Sequence, residues 1–427
     1  MSALRFRISK GIEATSTPPI PQAYGWGESY KPTPGRPLLD MSQGVPGVPP
    51  PPKFLEALGS AASSPKTCGY VPNAGEQILR KVIAEEMKVP YGESIDVTEE
   101  DIAITAGCNM AFAASIMTIA EKGDEVILPV PWYFNHEMTL TMLGIKAVPL
   151  PTDPDNGFLP SVDSCTQLIT QKTKAIVLVT PNNPTGAIYP PSLLAAYANL
   201  ARSKNIALIL DETYRDFLLP ESLPPHRLFE RIPSDSTLPS DWSWRETVIH
   251  LFSFSKSYCI PGHRVGLVCA SPDLIPALNK ALDNMQICAP RPPQVALANT
   301  IPSLRPFVNE NAEALQHRHQ LFAQKLPPHW KIGAQGGYYA FVKHPFVGVN
   351  ATRVAQRLAE EMGVLSLPAG FFYPTRTPEN EVVVNGKHPE DRWIRFSVAN
   401  VDDDKVIHVC ERLKESESCF SEWKVEV

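Results

Sequence analysis

The chain has 427 residues and a net charge of -6, with 43% hydrophobic and 20% charged residues. That length exceeds what one hydrophobic core usually fills, so two domains are expected. The mild acidity gives no reason to expect nucleic acid or a polyanionic surface as partner, and no apolar run approaches the roughly eighteen residues of a membrane helix.

The amino-terminal stretch is crowded with proline, as in "GVPGVPPPPKF", and the 44 prolines of the whole chain are about twice average usage. An extended segment that wraps a core, rather than forming one, is expected there. The start "MSALRFRISK" is basic but lacks an apolar centre, and Glu13 and several prolines follow, so it makes a poor leader or transit peptide. The eight cysteines are scattered, with no CxxC pair. They read as reduced thiols, neither a disulfide framework nor a metal site, and a cytoplasmic enzyme is the default.

From about position 76 to 290, helical and strand patterns alternate. "EQILRKVIAEEM" has helical spacing and "DIAIT" reads as a short buried strand. "NMAFAASIMTIAE" is again helical and stops at Gly123, before the strand "DEVILP". The runs "KAVPL", "KAIVLV", "IALIL", "VIHLF" and "RVGLVCA" continue the series, mostly separated by helix-length segments. Apolar strands without alternation are buried on both faces, which implies an α/β fold with a mainly parallel, helix-covered sheet. After about 290 the pattern changes: a long polar helix, "RPFVNENAEALQHRHQLFAQKL", precedes "GGYYAFV", "ATRVAQRLAEEMGV" and "RWIRFSVA". These predict a smaller α/β domain. The expected division is 61–305 for the large domain and 306–427 for the small one, with 1–60 packing against the small domain and making it discontinuous.

Ligands of open α/β sheets bind at the carboxyl ends of strands. After "DIAIT" comes "AGCN", a turn whose backbone N–H groups could receive a phosphate at a helix start. "PNNPTG" follows "KAIVLVT", "DETYRDF" follows "IALIL", and "SFSKSYCIPGHRVG" follows "VIHLF". Taken singly, each has a plain explanation: an aspartate cap, a turn, a solvated lysine. Their order and shared edge are not explained that way. Neither a Walker loop nor GxGxxG occurs, so nucleotide binding of those kinds is not expected.

These motifs, with "DMSQGVPGVPPP", "YVPNAGEQILR" and "RWIRFSVAN", resemble the fold type I pyridoxal-phosphate enzymes of the class I/II aminotransferase group. The resemblance spans nearly the whole chain, and the lysine segment together with NNPTG is its most specific part. It implies pyridoxal 5'-phosphate as cofactor and Lys256 as the residue that bonds to its aldehyde, a task for a lysine whose pKa is lowered. Asp211 would face the pyridine nitrogen and keep it protonated, while Tyr214 and Asn183 would reach the phenolic oxygen. Gly107, Cys108, Asn109, Ser253, Ser255 and Arg264 match the phosphate cradle, Arg264 adding charge-assisted bonds. Tyr133 matches the aromatic that stacks on the ring. Tyr70 matches a tyrosine that reaches the phosphate of a partner subunit, which implies a homodimer with shared sites.

The resemblance also assigns Arg395 to the substrate α-carboxylate, held bidentately as lysine could not. Gly44 and Asn183 lie near the same group. Tyr338 and Tyr339 begin a strand of the second domain; the approach of one of them to the site is an open alternative, and core packing is the leading expectation. Amino transfer between an amino acid and a 2-oxo acid is the leading reading. A carbon–sulfur lyase and a 1-aminocyclopropane-1-carboxylate-synthase-like enzyme share every one of these motifs, and a ligand-sensing regulator would need a DNA-binding head that the short start cannot supply. Three places depart from common aminotransferase usage. Tyr258-Cys259-Ile260 replaces a trio such as Phe-Gly-Leu, and is where a departure from simple transamination is expected first. Cys108-Asn109 stands where small or hydroxyl residues are usual. No clear match exists for the arginine that dicarboxylate-specific members use, Arg291 being nearby, so strong aspartate specificity is not expected.

Overall fold

Strands that lack polar alternation need cover on both faces, and the central sheet has it. The structure, a computed structural model, describes residues 5–219, 222–376 and 382–426; the first four residues of "MSALRFRISK" lie outside it. A two-residue strand, β1 (Leu39–Asp40), belongs to the proline-rich start. Seven more form one sheet: β2 (Ile102–Thr105), β3 (Glu125–Val130), β4 (Lys146–Pro151), β5 (Thr173–Val179), β6 (Ala207–Asp211), β7 (Val248–Ser253) and β8 (Gly266–Cys269). Their spatial order is β2-β8-β7-β6-β5-β3-β4. β3 to β7 pair in parallel, and β8 runs antiparallel to both of its neighbours. Each strand corresponds to an apolar run of the sequence. Only β4, at the edge, shows exposed positions at its ends and an alternating interior.

A second, antiparallel sheet has the order β12-β13-β10-β9, built from β9 (Lys331–Gly336), β10 (Tyr339–Lys343), β12 (Leu367–Pro368) and β13 (Trp393–Ser397). β11 (Val364–Leu365) pairs in parallel with β1, placing Leu39 opposite Val364. The amino-terminal segment thereby joins the core of the second sheet, where Leu39 and Met41 pack with Val364 and Phe396. It is not simply extended, however. Helices occupy Lys10–Ala14, Pro19–Gly27 and Pro52–Ala62. Proline fits the first turn of a helix because its missing N–H has no partner there, so "PPPPKF" starts a helix. Phe54 of that helix is buried in the large core.

The helix expected from "RPFVNEN" onward starts earlier and runs from Arg291 to Lys325, with Pro302 and Pro306 inside it. Interior proline costs about 3 kcal/mol; here burial on both sides of the prolines offsets it. Leu297, Ile301, Leu304 and Val308 enter the large core, whereas Ala312, Leu315 and Phe322 enter the second. Position 305/306 therefore falls inside one continuous helix.

The amino end of the large sheet is tied by Arg245. Its Nε and Nη2 each lie 2.7 Å from the Asp101 carboxylate, and Nη1 lies 2.7 Å from Asp96. Asp101 is fully buried, so removing the guanidinium leaves its charge poorly compensated. Arg245→Met is expected to lower stability by about 2–4 kcal/mol, seen as a lower urea midpoint. Because this cluster sits at the edge opposite the loops described next, kcat of the folded variant should be unchanged.

Candidate active site

The carboxyl edge of the large sheet opens into a cavity of about 340 Å³. Asp211 ends β6, Ser253 ends β7, Asn183 follows β5, and Cys108 and Asn109 begin the helix that follows β2. Since β8 runs backwards, its beginning reaches this same edge, and Arg264 arrives there two residues before the strand. Gly107 takes φ +85°, and a Cβ on it would overlap the Arg264 guanidinium. Only glycine fits that turn.

Asp211 lies at the cavity floor with both oxygens engaged. Oδ1 accepts from the Thr213 backbone N–H (3.1 Å) and hydroxyl (2.7 Å), and Oδ2 lies 3.3 Å from His136 Nε2. Burial raises the pKa of this carboxyl, but His136 and Thr213 outweigh it, and the net direction is down. Asp211 is held as a carboxylate. Lys256 lies part-buried nearby and hydrogen-bonds the Gly44 carbonyl. Loss of hydration, followed by the cations of Arg395 and Arg264, brings its pKa from 10.5 to about 8. A free amine is thus accessible at mildly alkaline pH.

Arg395, from β13, reaches in from the second sheet and is 2% exposed. Nη1 donates to Asn183 Oδ1 (2.7 Å), Nη2 donates to the Ser42 carbonyl, and Nε has no partner. The ring faces of Tyr339 and Phe372 lie 4.4 and 5.0 Å from its guanidinium carbon. A buried cation with an unused donor is a receptor for an anion. Tyr214 shares a 2.7 Å hydrogen bond with the Tyr339 hydroxyl, and burial pushes its pKa well up, so it stays a neutral donor. Tyr133 leads into the helix that carries His136, and its hydroxyl lies 3.4 Å from Asn109. Ser253 and Ser255 also line the cavity.

Of the two adjacent tyrosines, one takes the alternative place. Tyr339 does not merely pack: it lines the cavity, because β10 pairs with β13 and carries it beside Arg395. Tyr338 alternates to the other side, packing on Phe217 and donating to the Lys256 carbonyl at 3.2 Å. Arg291 is bound to Glu76 at 2.6 Å, outside this cavity. Tyr70 is likewise outside its own chain's cavity, and 79% exposed. The unusual trio is structural in placement. Tyr258, Cys259 and Ile260 are all buried and none lines the cavity, while Cys259 takes the left-handed φ of +57° that glycine adopts more easily. His136 was missed, although "PWYFNH" places it three residues after Tyr133, on the same helical face. Gln43, Thr213 and Phe134 also line the cavity unannounced.

The model of the family "Aminotransferase class I and II" matches residues 36–413. The chain belongs to this family. A probable N-succinyldiaminopimelate aminotransferase of Mycobacterium tuberculosis is 27% identical over 375 residues, covering 86% of this chain and 89% of that protein. The aspartate/prephenate aminotransferase of Thermus thermophilus is 29% identical over 342 residues, 78% of this chain and 84% of the relative. Among solved structures, a Pyrococcus protein superposes with a TM-score of 0.82 at 22% identity, covering 96% and 98% of the two chains. The M. tuberculosis N-succinyldiaminopimelate aminotransferase gives 0.79 at 24% identity, covering 96% of this chain and 100% of that one. At such identities the structures speak to the fold, and they agree on it. Like its relatives, this chain is an aminotransferase.

Lys256 supplies a test of the site's electrostatics. In protein stripped of small molecules, its modification by a small amine-reactive reagent, read by mass spectrometry against pH, should have a midpoint of about 8. Arg395→Gln should move that midpoint upward, since a neighbouring cation favours the neutral amine. A midpoint in the ordinary lysine range would contradict the environment described.

Proposed function

We propose that this aminotransferase uses pyridoxal 5'-phosphate to move an amino group between an amino acid and a 2-oxo acid, with Lys256 as its central residue. The observation that carries the reading is the convergence of Lys256, Asp211 and Arg395 on one cavity, with Asp211 ionised and the Lys256 pKa brought down to about 8. The residues fit the cofactor: a basic and hydroxyl-bearing corner (Arg264, Ser253, Ser255, with the Gly107–Asn109 turn) suits a phosphate, and an ionised carboxylate suits a pyridinium. Tyr214 and the Asn183 side-chain amide would donate to the phenolic oxygen, and Tyr133 would cover the ring face. When bound, pyridoxal phosphate supplies an electron sink that stabilises negative charge at the substrate α-carbon.

The chain's own part follows from its geometry. Arg395 holds the α-carboxylate, and Asn183 and Ser42 orient the guanidinium for it. That fixes the α-carbon relative to Lys256, whose Nζ takes the α-proton as general base and, in the return half, delivers a proton to the α-carbon of the product. We also assign the functional unit to a homodimer, with exposed Tyr70 extending toward the phosphate of a second copy. The division into 61–305 and 306–427 is proposed on the strength of the two cores; of 1–60, Leu39 and Met41 join the smaller unit, whereas Phe54 packs in the large core.

Borohydride should fix the cofactor covalently on Lys256, and attachment at another residue would refute the assignment. Lys256→Ala should lower kcat by at least about 10³-fold while still retaining cofactor through the phosphate corner. Arg395→Lys should act mainly on KM for α-amino acids, raising it about 10–100-fold; an unchanged KM would mean that another group holds the carboxylate.

A further inference from the structure

The charged residues lining the cavity, among those described, are Asp211, Lys256, Arg264 and Arg395. Each is already engaged by the cofactor or by the α-carboxylate in the reading above. No cation or carboxylate of this lining is left over for the distal part of a substrate. A carboxylate or guanidinium on the substrate side chain would lose hydration there without gaining a counter-ion from this copy's lining, which costs several kcal/mol and acts as rejection. The uncharged lining not assigned above includes Pro18, Ile20 and Phe134, with Gln43 and Asn135 as neutral amides.

Pro18 and Ile20 come from the amino-terminal segment, which is anchored at two places. The helix Lys10–Ala14 packs on the helix Phe134–Leu143 of the large unit. Gly11 there lies so close to the Met142 carbonyl that a Cβ would overlap it. The helix Pro19–Gly27 packs instead on the second unit, with Ala23 fully buried beside Leu365, Leu367 and Phe372. Trp26 stacks on Phe371 at 5.7 Å. Pro18 caps the start of this second helix and Ile20 and Pro21 lie in its first turn, so the prolines stiffen the chain where Pro18 and Ile20 line the cavity. Tyr24 adds a tie toward the cavity, its hydroxyl 3.1 Å from Gln43 Oε1. The two residues that reach the cavity are therefore held, not loosely draped.

We propose that the amino donor has an uncharged, apolar side chain and that Ile20, with Pro18, is the specificity-determining contact for it; this rests on the aminotransferase reading. An apolar wall discriminates by one methylene at about 10–200-fold. Charged donors, facing the larger desolvation cost, should fare worse still.

The half-reaction without acceptor isolates the donor, since only one substrate is then bound. Holoenzyme is mixed with leucine, methionine, phenylalanine, alanine, aspartate, glutamate or arginine, and the released 2-oxo acid is measured alongside loss of the lysine-bound cofactor absorbance. Leucine, methionine or phenylalanine should exceed aspartate, glutamate and arginine by at least about 100-fold in kcat/KM. Ile20→Ala should lower the leucine-to-alanine ratio about tenfold, and Ile20→Arg should raise the aspartate-to-leucine ratio by at least as much. Preference for a charged donor would overturn the inference and mean that a second copy supplies the missing counter-ion, while leaving amino transfer intact. Ratios within twofold of wild type in both Ile20 variants would remove Ile20 as the determinant. Failure of every donor to yield a 2-oxo acid, with cofactor still fixed on Lys256, would overturn the aminotransferase reading together with the inference.

Discussion

Arg395 stands on the second sheet and hydrogen-bonds to Asn183, which hangs from the first. This contact crosses the cavity and makes the two cores parts of one site. It is an expensive arrangement: a guanidinium with almost no exposure, whose hydrogen-bond partners are an amide oxygen and a backbone carbonyl rather than a carboxylate. Burial pulls its pKa down, and the ring faces of Tyr339 and Phe372 offset part of the lost hydration. A fold tolerates a buried cation without a matching acid where an anion can be received, and Nε has no hydrogen-bond partner among the described residues. Much else serves to hold this residue: β10 beside β13, the NNPTG loop beneath it, and the segment from β1 to Gly44 behind it.

The large sheet was legible because its constraint is simple. A strand covered on both faces must be apolar throughout, so "DEVILP", "KAIVLV" and "VIHLF" declared themselves as β3, β5 and β7. The polar residues just beyond such runs had to emerge at one edge, which is why Asp211, Asn183 and Lys256 could be placed together from order alone. Arg264 followed for a different reason. The antiparallel sense of β8 was not readable from its sequence, yet the lysine motif already bound Arg264 to the same place.

What escaped was mostly decided by packing or pairing. Prolines at positions 302 and 306 argued locally against a helix that two cores jointly enforce. Prolines at 19 and 52 looked like extended chain, although each sits in a first turn where proline is favourable. Tyr338 and Tyr339 are adjacent, so strand alternation sends one behind Lys256 and the other into the cavity, and the register that decides which is which is a tertiary fact. His136 reaches Asp211 from a ring packed between Phe112, stacked on it at 4.0 Å, and Tyr133, edge-on at 5.1 Å, and that packing is a tertiary fact as well. Cys259 looked chemically suggestive in the sequence; in space it occupies a left-handed turn beneath the lysine.

The reversed strand β8 has one more effect. Ser253, Ser255, Lys256 and Arg264 all belong to a single short excursion of chain between the end of β7 and the start of β8, and those two strands are hydrogen-bonded neighbours. A molecule gripped at one end by Lys256 and at the other by Arg264 is therefore a passenger of the first sheet, with its two handles tethered in one frame. Arg395 belongs to the other frame. In the proposed reading, sliding one sheet against the other would change the distance from a carboxylate on Arg395 to Lys256 while Lys256 and Arg264 stay in one frame, so reacting geometry and cofactor retention would be mechanically separate quantities.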